Sequence, residues 1–148
     1  MAQMDRRFLL GAGSAMLALA ALDPGKTWAA GSPGLTTHVL DTVSGKPAEG
    51  VKIDFSVLEG SEYRLIRTVH TNADGRNGEP LLTPETMKTG QYQLVFYIAE
   101  YFTKVGAALP NPPFLDKAVI QFGMADATSH YHVPLLASPW SYTTYRGS

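Results

Sequence analysis

The amino-acid sequence predicts an all-β domain in which two sheets pack face to face as a sandwich. Three observations support this prediction. Short strand-like runs recur from Leu35 to the end of the 148-residue chain. Residues 51–58 alternate apolar and polar side chains with the period of two that a half-buried strand has. Glycine (14) and proline (10) are abundant between the runs, and many short strands joined by turns favour an antiparallel sandwich.

The first half of the domain contains three predicted strands. A run rich in threonine, valine and leucine at 36–42 ends in the turn sequence at 44–47. The alternating segment 51–58 forms the second strand. The third, at 63–71, stops at the sequence NADGRNG (72–78), which is composed of turn-forming residues.

The second half contains one predicted helix and the remaining strands. Tyr101, Phe102 and Val105 lie at helical spacing, so a short helix is predicted at 99–107, before the prolines at 110–113. The strands are predicted at 90–98, 117–124, 130–137 and 140–148.

Pro134 falls inside the predicted strand 130–137. Because proline has no N–H to donate to a ladder, the sequence predicts that this position lies at a sheet edge or at a bulge. Such a position would leave the histidines of the same strand, His130 and His132, open to contacts outside their own sheet.

Residues 1–29 are predicted to be a signal peptide. The pair Arg6-Arg7 precedes an uncharged apolar run at 8–22, which is short for a membrane span. An arginine pair before a Gly/Ala-rich run resembles a twin-arginine signal, and the small residues near Ala29 favour cleavage there. An amphipathic helix is disfavoured because the run has no polar face. We therefore expect an exported, periplasmic protein with its folded domain at 30–148.

Composition disfavours nucleic-acid and anionic-lipid partners and excludes chemistry that depends on cysteine. The formal net charge is −1, which creates no field that would gather nucleic acid or anionic lipid. The chain contains no cysteine, so a thiol nucleophile, disulfides and cysteine-based metal sites are excluded.

The side chains that can carry chemistry are histidines, one arginine and the end of the chain. His130 and His132 are two residues apart on a predicted strand and therefore share a face. His38 lies on the first strand with Thr36 as a same-face neighbour, and Arg76 lies in the DGR turn. The remaining candidates, at the end of the chain, are Tyr145, Arg146 and Ser148.

These residues leave three hypotheses open. A catalytic zinc site uses three protein ligands, which His130, His132 and His38 would provide. Alternatively, a neutral histidine takes a proton from water in a metal-free hydrolysis, while an arginine holds a planar, oxygen-rich substrate and stabilises developing negative charge. The third hypothesis is a binding module without chemistry.

Four segments resemble the transthyretin-like family, in its hydroxyisourate-hydrolase branch. LTTHVLDTVSGKPAEGV (35–51) resembles the opening signature of the family, and SHYHVPLLASPWSYTTYRGS (129–148) resembles its closing one. The turn at 72–76 and the segment 113–123 fit between them in order. The final tetrapeptide, 145–148, is similar to the one that separates the hydrolases from the hormone-carrying transthyretins.

The resemblance implies a sandwich of two four-stranded sheets with one short helix. It implies a homotetramer, a dimer of dimers, with active sites where the dimers meet. The implied reaction is hydrolysis of 5-hydroxyisourate to 2-oxo-4-hydroxy-4-carboxy-5-ureidoimidazoline, in urate degradation toward allantoin, without cofactor or metal. The alternative is an exported ligand-binding protein of the same fold without catalysis.

The resemblance also implies a role for each matched residue. His38 and His132 correspond to the two catalytic histidines of the family, and Arg76 would clamp the carbonyl-rich ring and stabilise the oxyanion. Tyr145 would close the pocket against the substrate, and Ser148 would add polar contacts. His130 is expected to be supportive, and His70 matches no site motif.

Overall fold

The computed structural model describes residues 31–147, which form two four-stranded sheets and one short helix. The predicted fold class is confirmed. The predicted signal peptide at 1–29 and the candidate Ser148 lie outside the described residues. The elements are β1 Gly34–Asp41, β2 Lys46–Pro47, β3 Lys52–Glu59, β4 Glu62–His70, β5 Gly90–Phe96, α1 Ile98–Lys104, β6 Ala118–Met124, β7 His130–Ala137 and β8 Tyr142–Thr144.

The strand order is β2-β1-β7-β8 in one sheet and β4-β3-β5-β6 in the other. All pairs are antiparallel except β1 with β7, which run parallel in continuous register from Gly34↔His130 to Asp41↔Ala137. The expectation of an antiparallel sandwich is therefore wrong for this pair. The two-residue strand β2 lies within the predicted turn at 44–47, where it pairs with the end of β1.

The core lies between the two sheets and is built by strand alternation. Ile53 and Phe55 of β3, together with Leu94 and Phe96 of β5, are fully buried from one side. From the other sheet, the buried side chains alternate along β1 and β7. Burial of each large apolar side chain is worth about 1.5–3 kcal/mol, which fixes which face of β1 and β7 turns inward. The side chains from this sheet that face the core include Leu35, Val39, Tyr131, Val133 and Leu135.

The helix forms where the sequence predicts it but ends earlier than 107. At its C-terminal end, the Val105 N–H donates to the Tyr101 carbonyl and the Gly106 N–H donates to the Thr103 carbonyl. Gly106 adopts a φ of +93°. The Tyr101 hydroxyl donates to Asp41 Oδ2 at 3.1 Å, which ties the helix to β1. Burial and this hydrogen bond raise the pKa of Tyr101 to about 12.

Within residues 31–147, no helix has the length and apolar character that a membrane crossing requires.

Pro134 lies on an interior strand, because β7 runs between β1 and β8. The predicted edge position is therefore wrong, and the pairing of β7 with β1 shows no bulge at Pro134. The pairs Leu135↔Thr144 and His132↔Gly147 belong to one antiparallel register, but Pro134 falls in the unpaired stretch between them. A missing N–H at this position interrupts the ladder, so the chain after Thr144 is released from β7 and rejoins it at Gly147.

Candidate functional site

His38 and His132 lie side by side on the outer face of the sheet that contains β1 and β7. In the parallel register, Thr36 opposes His132 and His38 opposes Pro134. Because neighbouring residues of a strand point to opposite faces, these side chains turn away from the core into which Leu35 and its alternate neighbours pack. The two imidazole rings have their centroids 6.4 Å apart and are inclined at 39°.

Arg76 is brought to this face by the turn that follows β4. The side-chain oxygen of Asn72 accepts hydrogen bonds from the N–H groups of Asp74, at 3.0 Å, and Arg76, at 3.1 Å. The turn docks on β1 through a hydrogen bond from the Val39 N–H to the Gly75 carbonyl, 2.9 Å long. As a result, Arg76 pairs with His38 across the two backbones.

Gly75 is the residue that permits this close approach. Its φ of +73° lies in the left-handed region, and a β-carbon at this position would lie 2.5 Å from the carbonyl oxygen of Val39. Any other residue would be both strained and in collision with backbone. The glycine therefore determines how closely Arg76 approaches the histidines.

The electrostatics of the site keep both histidines neutral at neutral pH. Burial, followed by the charge of Arg76 and the neighbouring His38 and His130, lowers the pKa of His132 to about 4; a backbone hydrogen bond with Thr36 opposes this shift. Burial and then Arg76 also lower the pKa of His38 from 6.5, against opposing effects of Asp74. Neutral imidazoles have a lone pair with which to accept a proton.

The guanidinium of Arg76 is available for a ligand. Its side chain is exposed, and no carboxylate of residues 31–147 forms an ion pair with it. An unpaired guanidinium beside two neutral imidazoles suits a planar group that carries or develops negative charge. The site can therefore combine proton acceptance with stabilisation of an oxyanion.

The segment after β8 reaches the site through Gly147. The Gly147 N–H donates to the His132 carbonyl at 2.7 Å, and a β-carbon at Gly147 would lie 2.7 Å from His132 Cδ2. The Arg146 guanidinium stacks over the Tyr131 ring at 4.5 Å, which anchors the segment. Tyr145 is 59% exposed, and it forms no hydrogen bond or ring contact with the described residues of the site.

The remaining histidines do not form part of this group. His130 shares the outer face with His132, but its Nδ1 donates to the Ser32 carbonyl at 3.2 Å. His70 is exposed on β4, in the other sheet. No three His, Asp or Glu side chains among residues 31–147 are grouped closely enough to hold a metal ion, so the geometry gives the three-histidine zinc hypothesis no support.

Two residues, Thr36 and Gly147, contact His132 without any sequence motif that points to these contacts. Thr36 Oγ1 lies 2.8 Å from His132 Nδ1, a contact that depends on the register between β1 and β7. The alternation of β1 placed Thr36 on the face of His38, and this was the one signal available. Gly147 was part of a recognised tetrapeptide, but its approach to the ring of His132 was not predicted.

The fold and the site together define the class of protein: the chain belongs to the HIUase/Transthyretin family, which it matches over residues 35–147. It is 58% identical to 5-hydroxyisourate hydrolase 2 of Rhizobium meliloti (strain 1021) over 77% of this chain and 95% of the relative. It is 53% identical to the 5-hydroxyisourate hydrolase of Pseudomonas aeruginosa over 77% of this chain and 90% of that relative.

Solved structures of both branches of the family share the fold. The 5-hydroxyisourate hydrolase of Klebsiella pneumoniae matches with a TM-score of 0.64 at 32% identity, over 78% of this chain and 99% of that one. The transthyretin of Sparus aurata matches with a TM-score of 0.69 at 31% identity, over 77% and 96%. An (S)-allantoin synthase matches at 0.73 and 43% identity over 79% of this chain, which spans 44% of that longer chain. Since the fold serves proteins of both names, function must be argued from the site.

Proposed function

We propose that this protein hydrolyses 5-hydroxyisourate to 2-oxo-4-hydroxy-4-carboxy-5-ureidoimidazoline, a step of urate degradation toward allantoin. The observation that carries the proposal is the grouping of two neutral imidazoles with the unpaired guanidinium of Arg76. Two relatives that are 58% and 53% identical to it over 114 aligned residues bear the name of this activity.

The reaction opens a cyclic amide, and the residues of the site supply what this step requires. One of the imidazoles, of His38 or His132, takes a proton from water as the oxygen attacks the ring carbonyl. Arg76 binds the carbonyl-rich ring and stabilises the negative charge that develops on the attacked oxygen. The ring C–N bond then breaks, the nitrogen receives the proton that the imidazole took from water, and the former carbonyl carbon becomes a carboxylate on the opened ring, with release of one proton. These steps require neither cofactor nor metal.

Tyr145 and Ser148 complete the proposed site. Tyr145 lies in the segment between Thr144 and Gly147 that does not pair with β7, where its exposed phenol can cover a bound ring. Ser148 follows Gly147 directly and would offer polar contacts to the substrate. Both residues bind substrate in this scheme, and His38 and Arg76 contribute to binding as well as to the reaction.

The active protein is proposed to be a homotetramer, a dimer of dimers with its sites at the dimer–dimer interface. In a single subunit the site lies on the outer face of a sheet, and the side chains of Arg76 and Tyr145 are exposed. Exclusion of water from such a face requires a second surface. Trp140 is 58% exposed and packs near the exposed Phe114, as interface aromatics do. Sedimentation analysis tests this proposal: a monomer that retains full activity would contradict it.

Export is proposed on the basis of the first 29 residues. The arginine pair Arg6-Arg7 would direct the folded domain through the twin-arginine route, with cleavage after Ala29, to the periplasm. The test is to fractionate cells that express the chain and to sequence the N-terminus of the product. An R6K/R7K variant should stay uncleaved in the cytoplasm, whereas unchanged export of that variant would contradict the twin-arginine assignment.

The activity itself is tested by following freshly generated 5-hydroxyisourate by its ultraviolet absorbance in ¹⁸O-labelled water. We expect decay faster than the spontaneous rate, with one labelled oxygen in the new carboxylate. The alternative is a ligand-binding protein without catalysis. A folded protein that binds 5-hydroxyisourate but leaves its decay rate unchanged would establish that alternative.

A further inference from the structure

Thr36 is the direct neighbour of His132 across the β1–β7 pairing. The two residues oppose each other in the parallel register, and Thr36 Oγ1 lies 2.8 Å from His132 Nδ1. A threonine hydroxyl can donate to or accept from a ring nitrogen, so this contact occupies Nδ1 in either case. Among the described residues, Nε2 of His132 has no hydrogen-bond partner.

The ring of His132 is also confined on a second side. The α-carbon of Gly147 is so close that a β-carbon there would lie 2.7 Å from Cδ2 and 3.2 Å from Cγ. The hydrogen bond from the Gly147 N–H to the His132 carbonyl holds the two backbones together. Thr36 and Gly147 therefore fix the imidazole between them and leave Nε2 as the nitrogen that a substrate or water can reach.

A neutral imidazole carries one N–H and one lone pair, and the partner of one nitrogen decides which nitrogen keeps the lone pair. Because Thr36 Oγ1 occupies Nδ1, a proton taken up by this ring during hydrolysis has to be accepted at Nε2. The tautomer that can do this has its lone pair on Nε2 and its N–H on Nδ1, where the hydroxyl oxygen of Thr36 can accept the hydrogen bond.

We propose that Thr36 is a positioning residue that sets His132 in the tautomer with Nδ1–H toward Thr36 and the lone pair on Nε2. The inference rests on the proposed function, because a fixed lone pair on Nε2 matters for a histidine that exchanges protons during hydrolysis. Thr36 itself touches no reacting atom in this scheme and acts through His132.

Three variants of the full chain test the proposal. Thr36→Val keeps the shape of a β-branched side chain but removes the hydroxyl, and Thr36→Ser keeps the hydroxyl. Thr42→Val is the matched control, because Thr42 Oγ1 likewise bonds β7, at the Ala137 carbonyl (3.1 Å), far along the strand from the site. Circular dichroism and thermal unfolding establish that each variant is folded.

The first readout is the ¹⁵N spectrum of the His132 ring without substrate, assigned with His132→Asn. We expect a protonated Nδ1 and an unprotonated Nε2 in the natural chain, in Thr36→Ser and in Thr42→Val, and averaged signals from both tautomers in Thr36→Val. An Nε2–H tautomer in the natural chain, or a spectrum unchanged by Thr36→Val, would overturn the proposal.

The second readout is the hydrolysis of 5-hydroxyisourate. Loss of one net hydrogen bond corresponds to roughly a 2- to 10-fold change, so kcat of Thr36→Val should fall by about this factor with little change in KM, and Thr36→Ser should restore it. An unchanged kcat in Thr36→Val would overturn the role of Thr36 in the reaction. If the natural chain shows the Nδ1–H tautomer but no hydrolysis, the proposed function fails while the hold of Thr36 on the ring is supported.

Discussion

Gly147 packs its α-carbon against the imidazole of His132, so that a β-carbon at this position would come within 2.7 Å of Cδ2. The same glycine donates its N–H to the His132 carbonyl. The segment after β8 is therefore joined to a candidate catalytic residue through a contact that has room only for glycine.

We expect Gly147→Ala to lower kcat/KM by about 100-fold, because displacement of a reacting group by roughly 1 Å can have an effect of this size. Overall stability should change little, since Gly147 lies beyond the last strand. Kinetic assays and thermal unfolding measure the two effects. Gly123→Ala is the matched control, because a β-carbon there would meet the side chain of Gln91 at an ordinary 3.6 Å. Gly147→Ala with activity equal to that of the control would contradict this reading of the contact.

Gly75→Ala should destabilise the protein and impair Arg76 together. The φ of +73° alone costs about 1 kcal/mol for a non-glycine residue, and the collision with the Val39 carbonyl adds to this cost. Gly78→Ala separates the two effects, because Gly78 has a φ of +59° but no atom within 4 Å of the added carbon. Denaturant unfolding should show a larger loss for Gly75→Ala, and kcat/KM should fall in that variant alone. Equal losses of stability would show that the backbone approach is not tight.

The activity should persist into mildly acidic solution. Since the pKa of His132 is about 4 and that of His38 lies below 6.5, both imidazoles stay neutral at pH values where an ordinary histidine is protonated. The acid limb of kcat/KM, which reports the free enzyme, should therefore lie below 6.5. A limb above 6.5 would contradict the neutral-histidine account.

The same shifts link pH to stability. The folded pKa of His132 is depressed, so the unfolded chain binds more protons between pH 6.5 and about 4. The stability that follows from the neutral His132 is fully present above pH 6.5 and is lost as pH falls toward 4.

The charge of Arg76 is one cause of the lowered pKa values of His38 and His132. NMR titration of Arg76→Gln should therefore give higher pKa values for both histidines. Unchanged pKa values would show that Arg76 does not act on the rings.

The fold was predictable where one strand carries its own pattern. The alternation in 51–58 predicts a half-buried strand, and two of its apolar residues, Ile53 and Phe55, are fully buried. The parallel pairing of β1 with β7 was not predicted, because neither strand encodes which neighbour it meets. The two-residue strand β2 has no periodicity to detect. The sequence predicts an edge or a bulge at Pro134. In the structure β7 remains an interior strand, and only its pairing with β8 is interrupted at this residue.

The site was predictable in its residue types but not in its supporting contacts. The resemblance singled out His38, Arg76 and His132, and the structure brings these three together. The contact of Thr36 with His132 joins residues 96 positions apart, so it follows from the strand register and from nothing local in the sequence. The approach of Gly147 to the same ring has the same origin.

The most direct test of the central claim is the initial rate of 5-hydroxyisourate decay, measured by ultraviolet absorbance for the natural chain, His132→Asn, Arg76→Lys and a chain lacking 145–148, each with and without chelator. The site predicts fast, chelator-insensitive decay in the natural chain. His132→Asn removes a proton acceptor and Arg76→Lys removes the oxyanion partner, so each should lower kcat/KM by about 100-fold or more. Removal of residues 145–148 should have an effect of the same size. Decay at the spontaneous rate from a folded natural chain would contradict the account, as would activity that is lost to chelator and restored by metal.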